Sequence, residues 1–450
     1  DWGAAMYGEM AKVGLRQTVI GVRYRPSEPI VIQDKPLLDR VIPNALDAGL
    51  RVVVAVYPYP TREIEAGLGS PRLFGAYVSA VAQAFPRATQ FVIGNEPNQP
   101  AFWRPQFKKS GANASAAAFG PYLAAAYDAL KALDADYEVV GVGLSPRGND
   151  KPYAKSNVST SPVRFLRALG TWYRTSGRTR PLMDSFSFHP YPNRATDSLD
   201  RGYPWPNAGF PNLDRVKQAL WDAFDRTSQP TTLGGLGLHL DEVGWQVDTT
   251  RLPGYQGTEN VPVTDELTQA AIYGDLVRRA ACDPDVRSVS FFGFRDDGLR
   301  TGFQAALLRA DGTPRPAAAA VQSAIADAAT GCVEATVPWI PAGDVLGAQI
   351  DLETDTGSSV TARIAAGEDA RAVVCVRELS ARGIGGATWR PIRPRAARCS
   401  RTSVLGRRPL TMVLRVPAGE DVRGRVAARL AAEANRARRT FVLYDLPVLR

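Results

Sequence analysis

Histidine and cysteine are scarce in this 450-residue chain, with two and four copies respectively. No pair of cysteines forms C-x-x-C, and two histidines are few for a zinc ligand set, so no metal or other cofactor is expected. No apolar run reaches the roughly 18 residues of a membrane-spanning helix. The opening residues, DWGAAMYGEM, hold no basic region followed by an apolar stretch, so no signal peptide is read in them. G-x-S-x-G and the phosphate-binding P-loop are both absent, as is the glycine fingerprint that accompanies a dinucleotide site. There is no internal repeat. Clustered positive charge is rare too: the net +9 comes mostly from scattered arginine, and only Arg390–Arg398 and Arg436–Thr440 are locally basic. Solvated arginine accounts for that pattern, so no nucleic-acid partner is expected.

What is present is an ordinary soluble balance, 45% hydrophobic and 22% charged, in a chain too long for one core. A large domain and a smaller one are therefore expected. Helical spacing over residues 3–15 is followed by a strand at Thr18–Tyr24. A helix over Leu37–Leu50 then leads to RVVVAVY at Arg51–Tyr57, which is apolar on both faces and reads as a parallel strand covered by helices. The alternation continues with strands at Gln90–Gly94, Val139–Leu144, Ser185–His189, Leu236–Glu242 and Val286–Phe292. Helices follow over Leu73–Phe85, Ala116–Leu133, Val163–Tyr173, Leu213–Phe224, Glu266–Ala281 and Pro316–Ala329. Seven strands, each followed by a helix, in a series that opens on a helix, predict an α/β fold. It reads as a (β/α)8 TIM barrel over residues 1–333, whose first strand is largely missing from the residues given.

Composition changes after Gly331. Residues 334–346 read as a linker, and 347–450 as a small all-β sandwich of immunoglobulin-like size, built from short alternating segments between turn residues. Arg423–Ala432 is compatible with strand or helix. The cysteines fall as two pairs, Cys282/Cys332 and Cys375/Cys399, one pair in each domain. Two disulfides in an exported protein fit that spacing, so a secreted, extracytoplasmic location is expected. Asn113-Ala-Ser and Asn157-Val-Ser match the glycosylation pattern, a match often due to chance. Asp355-Thr-Gly resembles half of an aspartic-protease dyad, lacks the other half, and reads as a hairpin turn.

The chemistry gathers at FVIGNEPNQPAFW, Phe91–Trp103. Phe91, Val92 and Ile93 form strand, and Pro97 cannot donate a ladder hydrogen bond, so Glu96 is left at the lip of a sheet. A second strand-ending acid is Glu242, in GLHLDEVGWQ. With the absent strand counted first, these end strands four and seven. In an eight-stranded barrel about 15 Å across, that places them about 14 Å apart at the backbone. Two inward glutamates, each reaching about 4.5 Å, leave a gap near 5 Å. That separation suits a retaining glycosidase, whereas an inverting one needs roughly 6.5–9.5 Å to seat a water. The same alternation places His239 and Asp241 on the opposite face from Glu242, His239 beneath a helix. Phe292, Phe294, Arg295 and Asp296 are expected to border the cleft.

FVIGNEPN, FSFHPYP and LDEVGWQ resemble the corresponding strand ends of retaining glycoside hydrolases of clan A, especially families 5 and 39, over residues 1 to about 330. The resemblance implies Glu96 as acid/base and Glu242 as nucleophile. It implies Asn95 at the substrate's 2-hydroxyl, His189 and Tyr191 beside the acid pair, and Arg23 as the arginine that keeps the nucleophile ionised. Trp103, Trp245, Trp205, Tyr203 and Tyr59 all follow strand ends and are candidates for stacking on sugar rings. The expected function is thus a retaining O-glycosyl hydrolase with a carbohydrate substrate. The alternatives are a non-catalytic carbohydrate-binding barrel and a transglycosylase using the same site. The sandwich either binds carbohydrate or braces the barrel, with bracing favoured. The sequence gives no oligomeric state.

Overall fold

The computed structural model describes residues 1–332, 339 and 341, and seven segments between 349 and 445. The chain divides into two compact units, Asp1–Trp339 and Ile340–Arg450.

The first unit alternates as the apolar pattern requires: α1 (Ala4–Val13), β1 (Gln17–Tyr24), α2 (Lys35–Asp47), β2 (Arg51–Pro58), α3 (Thr61–Glu65), α4 (Pro71–Ala84), β3 (Gln90–Ile93), α5 (Ser115–Leu133). Then come β4 (Glu138–Leu144), α6 (Pro162–Thr175), β5 (Ser185–Phe188), α7 (Leu213–Phe224), β6 (Gly237–Val243), α8 (Glu266–Cys282), β7 (Val286–Phe291) and α9 (Pro316–Ala329). The seven strands are all parallel and pair in chain order, β1 to β7. The short helix α3 was not foreseen. The sheet curls until its two edges approach, and the Gln17 side chain on β1 donates to Ser290 Oγ on β7 at 2.9 Å. A doubly wound open sheet would hold those ends apart. Among the described residues β1 and β7 have a backbone partner on one side only, and no eighth strand lies between them.

Curling divides the apolar side chains into two cores. Val53, Val92 and Val140 meet inside the curl, with Val19 and Ala55 against them. The larger core lies between the outer face of the sheet and the helices, and includes Val54, Phe91, Val139, Phe186 and Leu240. The central strands β3 and β5 are buried along their whole length, whereas β1 and β7 are half-buried or exposed over most of theirs.

The floor of the curl is polar, and it corrects one expectation. His239 does not lie under a helix: it faces inward, with Nδ1 2.8 Å from Ser288 Oγ and Nε2 3.0 Å from Glu138 Oε1. Glu138 also accepts from Ser185 Oγ at 2.6 Å and Gln90 Nε2 at 2.9 Å. Burial alone would raise the pKa of Glu138, but the hydrogen bonds from His239 and Ser185 and the charges of His239 and Arg51 outweigh it, lowering it to about 2. A carboxylate with a folded pKa below its unfolded value of 4.5 stabilises the fold above that value. Its contribution is lost as pH falls towards 2. The side chain is 34% exposed, so screening leaves about 1–2 kcal/mol. Glu138→Gln should therefore lower the urea-unfolding free energy by that amount at pH 7. The gap to the parent should close as pH approaches 2, and an equal gap at pH 7 and pH 2.5 would contradict the assignment.

In the second unit the described residues form two antiparallel sheets. One has the order β11-β10-β13-β14, from Arg398–Val404, Ala370–Leu379, Arg423–Ala432 and Arg439–Asp445. The other has the order β12-β9-β8, from Leu410–Arg415, Ser359–Ala365 and Gln349–Asp355. Arg423–Ala432 is thus a strand. Both cysteine pairs are bridged, Cys282 to Cys332 and Cys375 to Cys399, the latter across directly paired residues of β10 and β11. The linker expected over 334–346 lies outside the described residues except at 339 and 341.

Candidate active site

At the C-terminal ends of the strands of the first unit a cavity of about 1020 Å³ opens, lined among others by Asn95, Glu96, His189, Tyr191, Asp241 and Glu242. It continues between the two sheet edges, past Gln17–Gly21 and Val289–Phe291.

The chain leaves β3 at Gly94, whose φ of +109° is open to glycine; a Cβ there would stand 2.7 Å from the Val142 carbonyl oxygen. Two residues on, Glu96 is itself left-handed, with φ +42°. A non-glycine residue held there costs about 1–3 kcal/mol, and such strain concentrates at functional sites. Two backbone hydrogen bonds fix it: Glu96 N donates to the Gly143 carbonyl at 2.7 Å, and Gln99 N donates to the Glu96 carbonyl at 2.7 Å. Asn98 locks this turn to the end of β4, accepting from Ser145 N at 3.0 Å and donating to the Ser145 carbonyl at 3.1 Å.

His189, just past β5, sits between the acids. Its Nδ1 is 3.2 Å from Glu96 Oε1 and 3.3 Å from Glu242 Oε2, and its Nε2 is 3.3 Å from Asp241 Oδ1. One oxygen of Glu96, one of Glu242 and a His189 nitrogen all lie within 4.8 Å of one another. Asp241, expected to point away from the cleft, instead shares the inward face with His239. The β6 ladder shifts register between Leu240 and Val243, so strict alternation fails there and Asp241 and Glu242 both reach His189.

The electrostatics follow from this packing. Burial would push the His189 pKa down, but the charges of Glu242 and Asp241 and hydrogen bonds to Asp241 and Glu96 raise it well above 6.5. These neighbours favour the imidazolium form of the ring. Burial raises Glu242, and the charges of Glu96 and Asp241 add to it; the His189 cation and a hydrogen bond from Tyr191 work the other way without cancelling the shift. Tyr191 is driven well above 10 by burial and by the charges of Glu242 and Glu96, so its hydroxyl keeps the proton it donates to Glu242.

The cation beside Glu242 is therefore His189, not Arg23. Arg23 is exposed, does not line the cavity, and lies over the Tyr59 ring at 5.3 Å. Trp103 and Trp245 have no face open to a ligand. Trp103 is packed edge-on against Phe119 and Tyr122, and Trp245 against Tyr273, with its Nε1 donating to the Asp197 carbonyl at 2.9 Å. Tyr203 is buried as well, and neither Trp205 nor Tyr59 lines the cavity. The aromatic rings that do line it are Tyr7, Tyr57, Phe102, Tyr191, Phe303 and Phe291, Phe292 and Phe294, of which Tyr191, Phe292 and Phe303 form an edge-to-face cluster. Phe292 and Phe294 border the cleft as expected, but Asp296 does not: its carboxylate is fully buried against Arg315.

No protein-family model matches the sequence, and no curated protein matches it. Solved structures do align with the chain. Glycoside hydrolases are among them. A family 39 enzyme from Bacteroides cellulosilyticus is 15% identical, with 93% of this chain and 78% of that one covered and a TM-score of 0.48. A glucosidase from Croceicoccus marinus is 12% identical, with 94% and 90% covered and a TM-score of 0.48. A family 5 glycoside hydrolase from Streptomyces cattleya is 14% identical, with 77% and 79% covered and a TM-score of 0.47.

Proposed function

We propose that the chain is a retaining glycoside hydrolase acting by double displacement, with Glu242 as nucleophile and Glu96 as acid/base. The observation that carries this reading is the spacing of the two glutamates, whose facing oxygens lie within 4.8 Å. That spacing is nearer the roughly 5–5.5 Å between the carboxyl groups of retaining enzymes than the roughly 6.5–9.5 Å that seats the water of an inverting one. In the first step Glu242 attacks the anomeric carbon while Glu96 protonates the departing oxygen. The glycosidic bond breaks and a glycosyl ester forms on Glu242. In the second step Glu96 takes a proton from water, the water oxygen attacks the anomeric carbon, and the ester bond returns its electrons to Glu242.

The neighbours suit the two steps. The Tyr191 hydroxyl and the His189 cation favour the charged form of Glu242 and offset part of the burial that opposes it. When the ester forms, the negative charge of Glu242 is lost, and in the second step Glu96 serves as the base towards water. The same reading includes an eight-stranded barrel closed by a strand between β1 and β7, an immunoglobulin-like sandwich over 347–450, a linker over 334–346, and secretion. The two disulfides support the last of these.

Product stereochemistry tests the mechanism. Proton NMR during hydrolysis of an accepted glycoside should show the product appearing first with the anomeric configuration of the substrate, and mutarotating later. First appearance of the opposite anomer would refute double displacement.

A further inference from the structure

We infer that the sugar bound in this cavity carries an anionic group, a carboxylate or a sulfate, which Arg147 and Arg194 recognise together. The inference rests on the glycosidase reading of the cavity and adds a substrate class to it.

Both arginines line the cavity, and both are exposed. Arg147 leaves β4 on a backbone tied down along its length. Ser145 is held by Asn98, the Pro146 carbonyl accepts from Ala208 N at 2.9 Å, the Arg147 carbonyl accepts from Gln99 Nε2, and Gly148 N donates to Asn207 Oδ1 at 2.8 Å. Its guanidinium makes one hydrogen bond, from Nη1 to the Asn193 carbonyl at 3.2 Å. That contact brings it to the residue preceding Arg194. Arg194 is anchored in turn, its N donating to Asp197 Oδ2 at 3.1 Å and its carbonyl accepting from Asp197 N at 2.9 Å. The Asp197 carboxylate is 3.3 Å from Arg201, and among the described residues neither Arg147 nor Arg194 has an ion-pair partner.

Two anchored backbone segments thus bring two arginines, neither in an ion pair among the described residues, to the lining of a cleft whose acids converge on His189. Glu96, Asp241 and Glu242 converge on the His189 imidazolium, so the arginines are not needed to hold them. Sugar hydroxyls are bound by neutral amides and by carboxylates as readily as by arginine. A planar fork of N–H donors with a permanent charge is matched instead to a carboxylate or a sulfate.

The test uses the full chain and pairs of probes that differ only in the charge. These are 4-nitrophenyl glucosides against the glucuronides and the 6-O-sulfated glucosides, in both anomers, with acidic oligouronides against their carboxyl-reduced forms. The parent protein should favour one anionic member over its neutral counterpart at least tenfold in kcat/KM, and calorimetric binding should show the same preference, weakening as salt is raised. Arg147→Met and Arg194→Met should each reduce the anionic-to-neutral ratio, and the double variant should reduce it roughly 10- to 100-fold. The carboxylate and sulfate arms identify the anion. Equal or better use of the neutral probes, or loss on both kinds in proportion, overturns the inference. Turnover of neutral probes abolished by Glu242→Ala would keep the hydrolase reading while this one fails. Arginine-dependent binding of an anionic probe without turnover would do the reverse.

Discussion

Glu242→Ala is expected to reduce hydrolysis of aryl glycosides by roughly 10⁴-fold or more, because in the proposed mechanism it is the group that attacks the sugar carbon. Asp241 is the nearest alternative, but it faces the opposite nitrogen of His189 from Glu242. The truncated side chain leaves space on the attacking face, and azide should fill it. Turnover should then return with a glycosyl azide of inverted configuration as product. Glu96→Ala should behave differently. Protonation of the leaving oxygen matters most when that oxygen is a poor leaving group, so loss of about 10²- to 10⁴-fold is expected for alkyl glycosides and much less for nitrophenyl glycosides. The deglycosylation step, which needs Glu96 as base, should become limiting for the latter. Unimpaired turnover in either variant, measured with both classes of leaving group, would remove the paired-glutamate mechanism altogether.

Asp296→Ala should cost about 3 kcal/mol of unfolding free energy with no direct effect on chemistry. Arg315 and Asp296 are both fully buried side chains in contact. Asp296 also accepts from Tyr255 Oη at 2.7 Å and from Ala306 N at 3.0 Å. Removing one partner of a buried pair strands the other, which costs about 3–5 kcal/mol. The lower end applies because Arg315 keeps Glu266, at 2.8 Å. The urea midpoint should fall while the slope of the transition stays constant. Asp311→Ala is the control, since that carboxylate is fully exposed and bonds only within its own turn. A midpoint equal to that of the control would mean the buried charge is adequately held by Glu266 and Tyr255.

The frame of the first unit was legible because its strands are short apolar runs with turn residues between them. Arg51–Tyr57 is apolar on both faces in sequence and buried on both faces in space. The Gly94-Asn95-Glu96-Pro97 step announced the lip of the sheet, and Glu96, His189, Tyr191 and Glu242 do converge. His239 and Asp241 were misplaced because alternation was counted back from Glu242, and the register shift in β6 breaks that count at its last residues. The tryptophans misled for a different reason. A ring after a strand end is compatible with a cleft wall or with a helix layer, and only the partners Phe119, Tyr122 and Tyr273 decide between them. Arg147, Arg194, Phe102 and Phe303 sit on loops that carry no periodic signal. Their position is set by tertiary hydrogen bonds such as Asn98 to Ser145, which no local pattern encodes.

The acids hang from interior strands of the sheet, and this has a mechanical outcome. Glu96 follows β3, His189 follows β5 and Glu242 ends β6, and each of those strands is flanked by a backbone partner on both sides. Strands paired on both sides open last. The spacing between the two carboxylates is thus held by the part of the sheet that is paired on both sides.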